Sequence, residues 1–385
     1  MIVPLAPRSP SEAHRSATPL ELFFDLVFVV AIAQAAGRLH HAVAGDHVMQ
    51  GLLSYGMVFF AIWWAWMNFT WFASAYDNDD VAYRLLVFVQ LTGALVLAAG
   101  VSTAFDTLDF TVPTLGYVVM RVAMVTQWLR AGRGDPSRRR TARRYALGIS
   151  VVQAGWVGLL FLPAQWHLPG FGLLAAAELL VPVWAERAGA TPWHCDHIVE
   201  RYGLFTIIVL GESILAASVA IRTAAQGETA NGALAAISAG GILIVFSLWW
   251  LYFARPQRDL RESLPTAFVW GYGHLPIYAA AAAVGAGIAV AVDHESGDAA
   301  IGELAAGAAV SVPVAVYLLG VWALHVRLRT DGLARLILFP AFAGLILLTP
   351  LTGHAVLSTG LLSATLLAAK LLSGAQSSAP AAESV

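Results

Sequence analysis

Twelve stretches of this chain are long enough and apolar enough to cross a bilayer, and this limits the fold more than any motif does. A spanning helix takes about 17–25 mostly apolar residues. The stretches fall at 20–39, 51–73, 84–104, 112–130, 145–162, 168–186, 198–221, 233–253, 267–291, 305–326, 332–349 and 352–372, with Pro350 and Gly353 as the punctuation between the last two. Of 385 residues, 58% are hydrophobic and 12% charged, and the mean hydropathy is +0.70. Soluble domains carry about 25% charged residues, so a soluble fold built from this chain would lack polar surface to cover itself. The expectation is an all-α polytopic membrane protein of about twelve transmembrane helices, whose first partner is the lipid bilayer.

The loops give an orientation. Arg130, Arg133, Arg138, Arg139, Arg140, Arg143 and Arg144 crowd the fourth loop, and Arg255, Arg258 and Arg261 fill the eighth. Arg327, Arg329 and Arg335 mark the tenth. Odd-numbered loops are poor in Arg and often acidic, as in Phe105-Asp106-Thr107-Leu108-Asp109 and in Asp293-His294-Glu295. The positive-inside rule then puts even loops and both termini in the cytoplasm of a bacterial cell. Residues 1–18 are polar and contain no apolar core of a cleavable signal, so the first apolar stretch reads as an uncleaved anchor. The tail 373–385 reads as disordered. Net charge is −2, which argues against a nucleic-acid partner. One cysteine, Cys195, excludes an internal disulfide.

Spans one and seven resemble each other. Glu21-x-Phe23 matches Glu200-x-Tyr202, both run into β-branched residues, and Arg38 and Arg222 close them. Spans two and eight carry Trp63-Trp64 and Trp249-Trp250. These matches favour two parallel six-helix halves, 20–190 and 191–372, behind a cytoplasmic segment 1–19.

The acidic residues inside apolar stretches are the best pointers to function. An ionised side chain near the bilayer centre costs about 2.5–3.5 kcal/mol on insertion scales, so it is kept for a partner, a cavity or a path. Glu21 and Asp25 share a helix face one turn apart. The plain account of Glu21 is a carboxylate at a helix start, where the dipole favours it. Asp25, a turn deeper, reads as a counter-charge or ion ligand. Glu212 lies twelve residues beyond Glu200, about 18 Å along a helix. Flanked by Gly211 and Ser213, it is the leading functional carboxylate, with a neutral, hydrogen-bonded Glu as the alternative. Arg121 inside span four demands an acidic partner, with Asp25 as first choice and Glu178 as second. His274 beside Pro276 is a proton-relay candidate or a satisfied core histidine.

Other clusters carry less. His194-Cys195-Asp196-His197 has zinc-like groups without a second ligand set, and no metal is expected there. Asp77-Asn78-Asp79-Asp80 lacks the glycine and distal Glu of a calcium loop and reads as a solvated loop or helix cap. Trp63, Trp64, Trp66 and Trp71 read as an interfacial belt, or as a cation-binding wall. No phosphate loop or protease signature is present, and no cofactor is expected.

The stretches Thr18-Pro19-Leu20-Glu21-Leu22-Phe23-Phe24-Asp25-Leu26-Val27-Phe28-Val29 and Glu200-Arg201-Tyr202-Gly203-Leu204-Phe205 through Gly211-Glu212-Ser213 resemble the bacterial low temperature requirement protein A family. The resemblance covers nearly the whole chain. It implies a polytopic membrane protein linked by name to growth in the cold, with Glu21, Asp25, Glu200, Arg201, Gly211 and Glu212 at the pattern positions. The first helix is also similar to that of a potassium-channel family of endosomes, lysosomes and bacteria, which has an Arg-x-x-x-Phe-Ser-Asp motif and six-helix repeats. Here Pro19 stands in place of the Arg and Phe24 in place of the Ser. The resulting expectation is a channel or secondary transporter for a cation, a proton or a small solute. Its site residues are Asp25, Glu212, Glu21, Arg121, Glu178, Glu200, Arg201 and His274. The rival expectations are a membrane-embedded or lipid-modifying enzyme and a non-transporting scaffold or sensor. A homo-oligomer is left open.

Overall fold

The computed structural model describes residues 4–12, 15–226, 232–254, 263–327 and 333–377. Among them every long regular element is a helix, and no strand occurs. In chain order these are α1 (Pro19–Ala44), α2 (Val48–Tyr76), α3 (Val81–Ala99), α4 (Val101–Asp106), α5 (Thr111–Gly134), α6 (Arg139–Leu159) and α7 (His167–Glu186). Then come α8 (Cys195–Gln226), α9 (Gly232–Phe253), α10 (Leu264–Ser296), α11 (Glu303–Val321), α12 (Leu333–Leu347) and α13 (Ala355–Ser377).

Each of the twelve apolar stretches carries a helix, the third divided at Gly100 into α3 and α4. Among the described residues nine rods are long and apolar enough to cross a membrane: α1, α2, α3 with α4, and those built on α7, α8, α9, α10, α11 and α13. The more polar α5 and α6 fall outside that set, with Arg121 inside one and Arg139, Arg140, Arg143 and Arg144 opening the other. With 15 residues, α12 is too short for it. Large apolar side chains such as Leu26, Phe88, Leu173, Phe246 and Val269 stay exposed on the outer faces of these rods. Water would not tolerate so many, so a bilayer is the surround that fits. Residues 373–377 continue α13, and the remainder of the expected tail lies outside the described residues.

Local chemistry sets the helix ends. Thr18 and Glu21 form a reciprocal cap on α1: the Glu21 amide donates to Thr18 Oγ1 at 3.3 Å, and the Thr18 amide donates to Glu21 Oε2 at 2.8 Å. Pro19 sits at the first helical position, where its missing amide costs nothing. Asp80 caps α3 by accepting the Tyr83 amide at 2.6 Å, so the acidic run 77–80 ends in a helix cap. Gly353, at φ +71°, turns the chain into α13.

The chain divides into two compact units. The first holds Met1–Arg38, Met49–Ile208 and Arg258–Ala267. Its core is aromatic. Trp63, Trp64 and Trp66 are each 0% exposed, which overturns the interfacial-belt expectation for them. Trp66 stacks on Phe205 at 4.0 Å and meets Tyr202 edge-on at 5.0 Å. A buried indole needs a partner for its N–H, and Trp64 and Trp66 find carboxylates. Gly93 and Gly116 let α3 and α5 touch backbone to backbone: a methyl on Gly93 would lie 2.6 Å from the Gly116 carbonyl.

The second unit holds Leu39–Val48, Val209–Gln257 and Phe268–Val385. Gly240 and Gly360 bring α9 and α13 together in the same way, with 2.6 Å between an added Gly360 methyl and the Gly240 carbonyl. Its Trp249 and Trp250, the sequence counterparts of Trp63 and Trp64, are exposed.

Candidate functional site

An acid pair and a base pair of equal spacing meet inside the first unit. Glu21 and Asp25 lie four apart on α1, as do His197 and Arg201 on α8. All four side chains are at most 1% exposed. Arg201 Nη1 lies 3.0 Å from Glu21 Oε1, and Arg201 Nη2 donates to Asp25 Oδ1. His197 Nε2 stands 3.1 Å from Glu21 Oε1. The α2 helix closes the cluster: Trp66 Nε1 donates to Asp25 Oδ1 at 2.7 Å, and Arg201 Nη2 reaches Thr70 Oγ1 at 3.4 Å. Asp25 Oδ2, His197 Nδ1 and Arg201 Nε are buried without a hydrogen-bond partner among the described residues.

Charge bookkeeping gives this cluster its chemistry. Two carboxylates touch one guanidinium, and Arg15 acts on Glu21 from further off; with a neutral imidazole the groups in direct contact carry one negative charge more than positive. A proton on His197 or on a carboxyl would balance it, and so would a bound cation. Such an excess inside low dielectric is expensive unless matched.

The N-terminal residues cover this region. Arg15 donates to the carbonyls of Ser74 at 2.5 Å and Ala73 at 2.7 Å, and the Arg8 amide donates to Ala75 O at 2.9 Å. His194 Nε2 lies 2.8 Å from Glu12 O, and Glu200, half-buried, accepts the Ala17 amide at 3.3 Å. Beneath them Asp77, in the loop after α2, is raised from 3.8 to about 6 by burial, with the nearby Glu21 charge adding to it. Arg8 is 3.9 Å away.

A second buried cluster joins α2, α5, α6 and α7. Arg121 Nη2 lies 3.4 Å from Glu178 Oε1 and also donates to the Tyr117 hydroxyl. Glu178 accepts Trp64 Nε1 at 2.8 Å and Trp156 Nε1 at 3.3 Å. The first-choice pairing of Arg121 with Asp25 is therefore corrected. Asp25 is held by Arg201, and the second choice, Glu178, is Arg121's partner.

Glu212 belongs to the second unit and stands apart. It is half-buried, with no hydrogen bond or ion pair among the described residues. Only its backbone is tightly packed: a methyl on Gly285 of α10 would lie 2.9 Å from the Glu212 carbonyl carbon. His274 is fully buried, its Nδ1 2.7 Å from Trp270 O and its Nε2 3.0 Å from the Tyr252 hydroxyl. Both ring nitrogens of His274 thus have a partner inside the second unit.

Sequence reasoning set His197 aside as a weak metal ligand, read Trp64 and Trp66 as an interfacial belt or a cation-binding wall, and gave no site role to Thr70, Tyr117 or Trp156. The matched spacing of Glu21/Asp25 and His197/Arg201 was a usable signal for His197. Nothing in the sequence singles out which tryptophans bond carboxylates. Among the described residues no three His, Cys, Asp or Glu side chains stand close enough to hold a metal.

Many apolar helices with charges paired between them define a multi-pass membrane protein. The family described as bacterial low temperature requirement A protein (LtrA) matches residues 16–373, and the chain belongs to it. The chain is also similar to RA0937 of Rhizobium meliloti (strain 1021), a protein described as uncharacterized, with 30% identity over 278 residues. That match covers 67% of this chain and 65% of the relative, so the chain spans about two thirds of the relative's length.

Proposed function

We propose that this LtrA-family protein is a transport protein, a channel or secondary carrier, that moves a proton or small cation across the bacterial cytoplasmic membrane. The cluster of Glu21, Asp25, His197 and Arg201 is its ion site. The observation that carries the reading is the contact geometry: two buried carboxylates on one guanidinium, with an imidazole within hydrogen-bonding distance of Glu21. Intramembrane ionisable groups mark ion and proton relays by default. In this reading the chain crosses twelve times, as two parallel six-helix halves, with both termini and the Arg-rich loops in the cytoplasm. Glu178 and Arg121 form a neutral pair that supports the site, and Glu212 is a second carboxylate on the route of the ion.

The test is flux into liposomes carrying purified protein and a trapped pH- or cation-sensitive dye, under an imposed membrane potential. The parent should pass protons or a small cation. Asp25→Asn, which removes the surplus charge but leaves the Glu21–Arg201 pair, should slow that flux at least tenfold. A parent that moves no proton, alkali cation or small solute ends the transport reading.

One observation favours the scaffold or sensor reading: the same cluster ties together α1, α2 and α8, as a structural clamp would. On that account Asp25→Asn lowers stability and there is no flux to lose. The enzyme reading rests on His194, Cys195 and His197, but the two imidazoles bond Glu12 and Glu21 in place of a shared ligand.

A further inference from the structure

The first unit contains a cavity of about 770 Å³ to which neither cluster's ion chemistry assigns a role. It is lined by α2, the end of the α3–α4 rod and the loop after it, α5, the end of α6 and the start of α7, and it is open on one side. Its wall is apolar, including Leu53, Met57, Leu97, Pro113, Leu168 and Phe171. Its polar lining, Gln50, Thr107 and Thr114 apart, falls into two sets. Asp109, Thr111 and His167 come from the loops and helix starts, while Tyr117 and Trp156 belong to the buried Arg121–Glu178 cluster.

We propose that this cavity binds an uncharged, single-chain amphiphile from the bilayer, with its chain along the apolar wall and its one polar end at the Tyr117 hydroxyl. Three observations converge. The volume lies in the range of about 300–1,000 Å³ that suits a molecule of this size. The walls include α2, the α3–α4 rod and α7, which are long and apolar enough to cross a membrane, so a surrounding bilayer would supply such chains. The electrostatics disfavour an anionic headgroup. Arg121 lies 4.4 Å over the Tyr117 ring and is already neutralised by Glu178, so this set offers hydrogen bonding without net charge. In the other set the Asp109 carboxylate accepts the Thr111 amide at 2.8 Å, and hydrogen bonds from Thr111 lower its pKa. It therefore stays ionised and repels an anion. This inference does not depend on the transport reading.

The experiment uses the full chain in liposomes with diazirine-bearing octadecanol as the probe and diazirine-bearing stearate as its charged counterpart. After illumination, modified residues are mapped by peptide mass. Octadecanol should label α2 and α7 at Leu53, Met57 and Phe171, and excess unlabelled octadecanol should compete. Ala61→Phe, which fills the cavity from α2, should cut that labelling at least fivefold. Met57→Trp does the same should the first variant not fold, with labelling then read at Leu53 and Phe171. Tyr117→Phe should weaken competition about fivefold, as expected for one hydrogen bond, with the labelled positions unchanged. Labelling confined to outward-facing side chains such as Leu26 and Leu173, indifferent to competitor and to Ala61→Phe, overturns the site. Equal labelling by stearate overturns the exclusion of an anionic headgroup.

Discussion

Arg201 and Glu212 lie on one helix, eleven residues apart, and their surroundings are opposite. Arg201 is fully buried and meets two carboxylates, with a threonine at the edge of reach. Glu212 is half-buried and meets no charged or hydrogen-bonding side chain among the described residues. In the sequence both look like charged residues stranded in an apolar helix. What separates them is the chemistry delivered by other helices: α1 and α2 bring acids and an indole to one level of α8, and α10 brings a glycine to the other. Charge placement along one helix is thus a weak guide to function until its partners are known.

The contrast predicts an ordering of effects. Arg201→Met should be the most damaging change, costing about 3–5 kcal/mol, because it leaves two buried carboxylates without their counter-charge. Chemical unfolding in detergent micelles measures it, and a loss below 1 kcal/mol would show that the cluster is not the tight ion network described. Glu178→Gln should come next, at about 3 kcal/mol, since Arg121 is then buried without its acid; the same unfolding assay reads it. Trp66→Phe removes one hydrogen bond to a charged group and should cost about 1.5–3 kcal/mol.

The pH dependence of Asp77 follows in size. Its folded-state pKa is raised to about 6 from 3.8, so folding favours the protonated acid. Its contribution is complete below about pH 4 and is lost as pH rises through about 6, a change of roughly 2–3 kcal/mol. Asp77→Asn should flatten the parent's fall in unfolding free energy between pH 4 and pH 7. An unchanged slope would mean that another group titrates. Glu212→Gln should change stability least, by under about 0.5 kcal/mol, as expected for a group outside any network. A loss as large as that of Arg201→Met would erase the contrast between the two positions.

The fold was largely legible because bilayer thickness turns hydrophobic run length into helix length, and a helix lies on each of the twelve stretches. Glu21 reads as a carboxylate at a helix start, and it does cap α1 together with Thr18, which the sequence reading does not single out; Glu21 is part of a charge network as well. The partners were not legible. Nothing in the sequence says that Arg121 lies beside Glu178 and not Asp25, because that depends on how α5, α7 and α1 are arranged. The tryptophans of α2 misled for a related reason: indoles suit both the membrane interface and a core that supplies an acceptor for their N–H. The buried carboxylates Asp25 and Glu178 supply those acceptors.

The covering segment has a consequence for the timing of assembly during synthesis. Arg8, Glu12, Arg15 and Ala17 are made before α2 and α8, yet they bond to Ala73, Ala75, His194 and Glu200. No such bond can close until those later residues have emerged from the ribosome. Helices α1 and α2 are therefore complete before the bonds to His194 and Glu200 can form, and the full set closes only once α8 has been made.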